Sequence, residues 1–489
     1  MSVAENRVEQ NDIVAMRTKL AFGVGATAEA AVNVGFNAFN FFFYNQILGL
    51  SGTLAGLAVT IALICDAITD PLIGVLSDRL KSKLGRRHPF MFAAPLPVAY
   101  CFYSIYTPPD VLQGFWLFVW FTIFTVLLRS FLTLFAVPHL AMGAELSKDY
   151  NQRSIVMSYN NFFGWIGGAG THILGLTVFF AATPEFSYGL LDKEAYPRFG
   201  IFVALVTIIL ILASAWFTRD QIPRLSQPPD DQAGFRFSEI FSEMLGALKN
   251  RNYLSLMLGL FFLSAMLGTR ETLGNHVSTF FWEITSEQIV WYNLASLIGY
   301  VSAFVLTARY HVMFDKRPTI LGSLIVMCIF SALPILLRIL GLFPENHSVM
   351  LMPLLVFLAI FGYHGGAVLN ISVMSALADI ADEHELTTSR RQEGVFYAAR
   401  TFFAKAISGM GHLIAGIFID VIEFPTGAAP GTVDESKVFW LGMMDGPLAV
   451  IPGFVAAAFY AGYRINKKRH AEIQEELAAR KLATTEQSG

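Results

Sequence analysis

The amino-acid sequence predicts an all-α integral membrane protein of twelve transmembrane helices arranged as two six-helix bundles. Three observations carry this expectation. Of the 489 residues, 54% are hydrophobic and only 15% charged, against about 25% charged in a soluble chain. Twelve stretches come close to the roughly 20 apolar residues that a bilayer-crossing helix needs. Lys and Arg, finally, fall almost entirely on one side of those stretches. Such a composition excludes a soluble multidomain enzyme, a disordered chain and a secreted disulfide scaffold. A net charge of −3 gives no reason to expect nucleic acid as a partner. Cys65, Cys101 and Cys328 all lie inside apolar stretches, which predicts neither a disulfide nor a metal cluster.

In chain order the apolar stretches are 20–48, 54–77, 89–106, 112–138, 154–181, 200–217, 253–282, 287–308, 319–340, 350–377, 394–421 and 438–463. Several exceed 25 residues, so tilted or broken helices are expected. Residues 1–19 are too polar for a cleavable signal peptide and read as a cytoplasmic segment. With the N-terminus in the cytoplasm, 26 of the 34 Lys and Arg residues lie on cytoplasmic segments. The outer loops hold only Lys193, Arg198, Arg338 and Lys437. That bias predicts both termini in the cytoplasm. The longest polar interruption, 218–252, is rich in Pro and charge and divides the chain into bundles at 20–217 and 253–463, with a tail at 464–489. The halves echo each other: PHLAMGAELSKDYNQRS after the fourth stretch is answered by SVMSALADIADEHELTTSRRQEG after the tenth. A six-plus-six repeat of this kind suits a carrier that rocks two halves around a central site. No nucleotide loop, HExxH or nucleophile elbow is present to suggest an enzyme.

Charges inside the apolar stretches each need a reason, because one at the bilayer centre costs about 2.5–3.5 kcal/mol on insertion scales. The second stretch reads ICDAITDPLIGVLSDR. Asp66 and Asp70, four residues apart, share a helix face. At 1.5 Å per residue, counting back from Arg79, they lie about 20 Å and about 13 Å into the membrane. Two like charges on one face raise each other's pKa unless a cation sits between them, so the pair suits a monovalent cation or a shared proton. Thr133 on the fourth stretch is the candidate hydroxyl ligand. The first stretch carries Glu29, Asn33 and Asn37 at intervals of four, a polar stripe expected to face a water-filled cavity. Arg129, one turn before Thr133, has no acid in its own stretch, and Glu29, Asp66 and Asp70 are its candidate partners. In the second half Arg270 and Lys405 lie mid-stretch, where a cation normally needs an acid or an anionic ligand.

The cytoplasmic ends place acids beside Arg clusters in both halves. These are Asp78, Arg79, Arg86, Arg87, Glu145 and Arg153 in the first, and Asp379, Asp382 and Arg391 in the second. Such pairs predict a latch that closes the cytoplasmic side in one state and opens in the other.

The segment DAITDPLIGVLSDRLKSKLGRRHPF resembles the glycoside–pentoside–hexuronide:cation symporters, melibiose-permease-like members of the major facilitator superfamily. The resemblance continues through RTKLAFGVGA, VPHLAMGAELSKDYNQR, FFWEITSEQI and ADIADEHELTTSRRQEGVFYAARTFFAK. It implies twelve helices in two bundles, alternating access, and coupling of a small-molecule solute to Na⁺ or H⁺, with no cofactor beyond that ion. It further implies a carrier acting as a monomer in a bacterial inner membrane. By position Asp66 and Asp70 match the family's cation-site aspartates, Thr133 its hydroxyl ligand, and Lys405 the lysine that approaches both sites. The family's sugar-site arginine falls at Asn161, its two sugar-binding aspartates at Ala30 and Ala136, and a cation-site asparagine at Thr69. The expected solute pocket is therefore built from Glu29, Asn33, Asn37, Arg129, Asn161, Arg270 and Lys405. DAITDP also occurs in the related lysophospholipid symporters, which makes an amphipathic or lipid-like solute the alternative.

Overall fold

The computed structural model describes residues 13–225, 246–388 and 393–488. Among the described residues every regular element is a helix. In chain order these are α1 (Met16–Phe42), α2 (Gly52–Arg79), α3 (His88–Ala93), α4 (Pro95–Tyr106), α5 (Gly114–Glu145), α6 (Tyr150–Leu174) and α7 (Ala195–Thr218). There follow α8 (Arg251–His276), α9 (Ser286–Ile289), α10 (Trp291–Phe314), α11 (Lys316–Ile339), α12 (Leu351–Thr388) and α13 (Glu393–Val421). The last three are α14 (Glu435–Met443), α15 (Val450–Tyr460) and α16 (Lys467–Ser488). α1, α6 and α8 each end in a π turn, and another π turn, Met444–Leu448, joins α14 to α15.

Ten of the helices are long and apolar enough to cross a membrane, against the twelve expected from the sequence. The two that differ have a physical reason. α1 carries the polar stripe Glu29, Asn33, Asn37 and Asn40, which lowers its hydropathy. The third stretch is divided at Ala94–Pro95 into pieces of 6 and 12 residues, because Pro95 and Pro97 cannot donate to the preceding turn.

By proximity the chain separates into two compact units. One holds the residues up to Ala233 with Ile284–Val290 and His412–Val433; the other holds Gly234–Glu283, Trp291–Gly411 and Asp434–Gly489. The long stretch α13 thus contributes its first part to one unit and its last turns to the other, a division the sequence repeat does not display.

In the first unit an aromatic core sits where the π turn of α1 meets α4 and α7. Phe43 stacks on Tyr196 at 4.3 Å and Tyr44 on Phe121 at 3.8 Å. The buried phenols stay satisfied by donating to backbone: Tyr44 to the Ile105 carbonyl at 2.8 Å and Tyr106 to the Gly35 carbonyl at 2.7 Å. α1 and α6 approach so closely at Gly167 that a Cβ there would meet the Thr27 backbone, which places the stripe of α1 at a fixed height. The start of α2 is pinned by Asp420 at the end of α13. Its carboxylate accepts from Ser51 Oγ at 2.6 Å, Gly52 N at 2.7 Å and Thr53 N at 2.8 Å, a negative charge on the positive end of a helix.

The second unit packs α10, α11 and α12 together, with α15 against α8. Its core is aliphatic and sulfur-bearing, with Leu256, Met266, Leu324, Cys328, Leu377 and Ile380 buried. His364 is satisfied between Ser302 Oγ at 2.8 Å and Tyr310 at 3.3 Å. α16 lies along this unit, burying Ile473 and Leu477.

Candidate functional site

α2 and α5 meet at Asp66, Asp70 and Thr133. The Thr133 hydroxyl lies 2.8 Å from an Asp66 oxygen and 3.0 Å from an Asp70 oxygen. Asp66 and Thr133 are buried, at 4% and 3% exposure. A hydroxyl has one proton to give, so it satisfies one carboxylate fully, and the other reaches the same oxygen only with a proton or positive charge beside it. Pro71 adds a further feature. It lies inside α2 and has no N–H to donate, which leaves the Ala67 carbonyl without its helical partner. Thr69 does not contribute its hydroxyl here, because that group donates to the Asp66 carbonyl at 3.1 Å. Two carboxylates and a hydroxyl are an all-oxygen set, the chemistry that holds a hard cation or a shared proton.

Above this cluster on α5, Arg129 reaches across to α1. Its two terminal nitrogens donate to Asn33 Oδ1 and Asn37 Oδ1, each at 2.8 Å. Its guanidinium carbon lies 4.8 Å from the centre of the Phe36 ring. Here the structure differs from the expectation that Glu29, Asp66 or Asp70 would pair with it. Asn33 and Asn37 are one turn apart, matching the fork of the guanidinium, and their neutral oxygens take the place of a carboxylate. Glu29 lies half-buried on the same helix, and Asn161 is on the exposed side of α6.

Arg270 and Lys405 belong to the second unit and are half-buried. Arg270 pairs with Asp445, Nη2 to Oδ2 at 3.6 Å. Sequence reasoning missed Asp445, which sits in the run MMDGPL inside the apolar stretch 438–463. The chain places it within a π turn.

The motifs that set acids beside basic residues at the helix ends form one cluster in each unit. In the first, Arg86 and Arg87 converge on Glu145 Oε1 at 2.7 and 2.9 Å, and both reach Asp78, at 3.7 and 2.5 Å. Arg87 also donates to Ser77 Oγ at 2.7 Å. Gly85, at φ +70°, makes the left-handed turn that brings these arginines back onto α2 and α5. Arg153 caps the Ser147 carbonyl at 2.7 Å. Next to Arg87, His88 is buried against Thr218 Oγ1 at 3.1 Å, and burial pushes its pKa down to about 4. In the second unit Asp379 holds Lys316 at 2.7 Å and accepts from Tyr463 at 2.8 Å. Asp382 accepts from Gln474 of α16 at 2.7 Å, and His470 lies 3.4 Å from both acids. Arg391 lies outside the described residues.

Comparison with known proteins follows the same lines. The family model for MFS/sugar transport proteins matches residues 21–467. The chain is 26% identical to an uncharacterised symporter of Synechocystis sp., over 95% of this chain and 96% of that one. It is 21% identical to the isoprimeverose transporter of Lactiplantibacillus pentosus, over 92% of this chain and 90% of that one. The crystal structure of the nucleoside transporter NupG has a similar fold, with a TM-score of 0.61 at 14% identity, covering 91% of this chain and 99% of that one.

Proposed function

The chain belongs to the MFS/sugar transport protein family, and on that premise we propose that it couples Na⁺ or H⁺ to uptake of a glycoside, pentoside or hexuronide by alternating access. One observation carries the reading: a buried threonine hydroxyl is shared by two carboxylates four residues apart on one helix. Cation binding relieves the repulsion between Asp66 and Asp70 and favours the state that accepts solute. The coupling is reciprocal, so solute raises cation affinity by the same factor.

Glu29, Asn33, Asn37, Arg129, Asn161, Arg270 and Lys405 line or tune the solute pocket in this reading. A relative that bears the name isoprimeverose transporter supports a sugar over a lipid-like solute. The bundles 20–217 and 253–463 rock against each other, with both termini on the cytoplasmic side of a bacterial inner membrane, and one chain suffices. The charged clusters around Glu145 and Asp379 act as a latch that closes the cytoplasmic side in one state and opens in the other.

A ligand-stabilisation screen on purified protein tests this. The panel is isoprimeverose, the methyl glycosides of glucose, galactose and xylose, glucuronate, and lysophosphatidylcholine, each with and without Na⁺ at pH 5.5 and 7.5. Stabilisation by a sugar that deepens with Na⁺ or with acid supports the reading. Stabilisation by the lysolipid alone transfers it to an amphipathic solute.

A further inference from the structure

We propose that Arg270 and Asp445 form a hydroxyl-binding subsite in the second unit, one that grips a pair of ring hydroxyls of the solute. This rests on the sugar reading above and adds to it a location and a chemistry.

Both residues lie in the same unit. Arg270 projects from α8 and Asp445 from the π turn Met444–Leu448. Asp445 is only 5% exposed. The ion pair between Arg270 and Asp445 is long, 3.6 Å, and uses one nitrogen and one oxygen. Arg270 Nη1 and Asp445 Oδ1 are both buried, and neither has a hydrogen-bond partner. A buried donor or acceptor left unmade costs about 1–3 kcal/mol, more when charged, so a guanidinium nitrogen and a carboxylate oxygen orphaned in one pair need an occupant. The π turn that presents Asp445 is itself a local departure from α-helix, of the kind that recurs at functional sites. Gly446 beside it packs against Ile335, which fixes the carboxylate's height in the unit.

The orphaned pair specifies its ligand. It offers one charged donor and one charged acceptor. A lone carboxylate ligand would satisfy Arg270 and be repelled by Asp445; an ammonium would do the reverse. A hydroxyl does both, donating to Asp445 Oδ1 while accepting from Arg270 Nη1, and two neighbouring hydroxyls divide the tasks. The side chain of Arg270 is 26% exposed, so the pair is open on the arginine side and closed on the aspartate side. Charge, polarity and access all fit a neutral polyhydroxylated ring.

The test uses purified full-length protein and whichever methyl glycoside of the panel binds wild type most tightly, together with its monodeoxy analogues. Asp445→Asn and Arg270→Lys are compared with wild type. The expected result is a loss of affinity of about 10- to 100-fold for the parent glycoside, the scale of one hydrogen bond to a charged group. One deoxy analogue, lacking the gripped hydroxyl, should bind wild type and both variants alike. If Asp445→Asn does not fold, Arg270→Lys keeps the charge, loses Nη1 and carries the same comparison. Equal weakening of the parent and of every deoxy analogue makes the pair a helix-packing device and overturns the subsite, as does unchanged affinity in both variants. Wild type that binds no glycoside of the panel overturns the sugar reading itself, a distinct outcome.

Discussion

Each unit buries an arginine and at least one carboxylate in its membrane-spanning part, and the two units connect them differently. In the first, Arg129 is held by two neutral amides, and the carboxylates of Asp66 and Asp70 converge on a hydroxyl. In the second, Arg270 and Asp445 face each other directly, at 3.6 Å. The difference lies in what the amides do. Asn33 and Asn37 satisfy the guanidinium without neutralising it, while Asp66 and Asp70 converge on the Thr133 hydroxyl from the neighbouring helix. Direct pairing in the second unit cancels the charges and leaves polarity alone. One arrangement suits a cation and the other a neutral polar group.

Breaking the first arrangement should have the largest effect on stability. Arg129→Met removes two hydrogen bonds to a charged group, each worth about 1.5–3 kcal/mol, and strands the amides of Asn33 and Asn37. A clear fall in the thermal midpoint of the purified protein is expected, and replacing both asparagines by Leu in the same chain should recover part of it.

The second arrangement should respond with a different pattern. Arg270→Met alone leaves a buried, unpaired Asp445, which for buried pairs costs about 3–5 kcal/mol. Arg270→Met with Asp445→Leu should be close to wild type in stability, since an apolar replacement of a whole buried pair is often neutral or better. A double variant as unstable as the single would mean that the two charges are held by separate partners.

Much of the first arrangement was legible in the sequence. Asp66 and Asp70 stand out because they lie four apart in an apolar stretch, a spacing that fixes a shared face whatever the helix packs against. The partner of Arg129 was not legible. Periodicity says that Arg129 and Thr133 lie one turn apart, yet it does not say that one side of α5 meets α1 while the next meets α2. Carboxylates were the electrostatic expectation, and two asparagines with the right spacing took the position. Asp445 was hidden for a different reason: it lies inside the apolar stretch 438–463, and nothing in its spacing shows that a π turn presents it to Arg270 of α8. The third stretch shows the converse: its length was readable, but Pro95 divides it into α3 and α4.

A smaller effect separates the Glu145 cluster of the first unit from both buried arrangements. His88, just before the third apolar stretch, is held by burial at a pKa of about 4, below the ordinary value near 6.5. Its folded-state pKa is depressed, so its contribution to stability is complete above about pH 6.5 and is lost as pH falls through about 4. Thermal unfolding followed between pH 7 and pH 4 should show a decline that is shallower in His88→Gln. Equal slopes in the two proteins would remove His88 from the account.

The central claim is that Asp66 and Asp70, bridged by Thr133, bind the ion whose gradient drives transport. Uptake of the best-binding sugar into proteoliposomes, under an imposed Na⁺ or H⁺ gradient, tests it most directly with wild type against Asp66→Asn. The account predicts gradient-driven accumulation in wild type and its loss in the variant, with solute exchange at equal concentrations retained. Gradient-driven accumulation that survives unchanged in Asp66→Asn would contradict it.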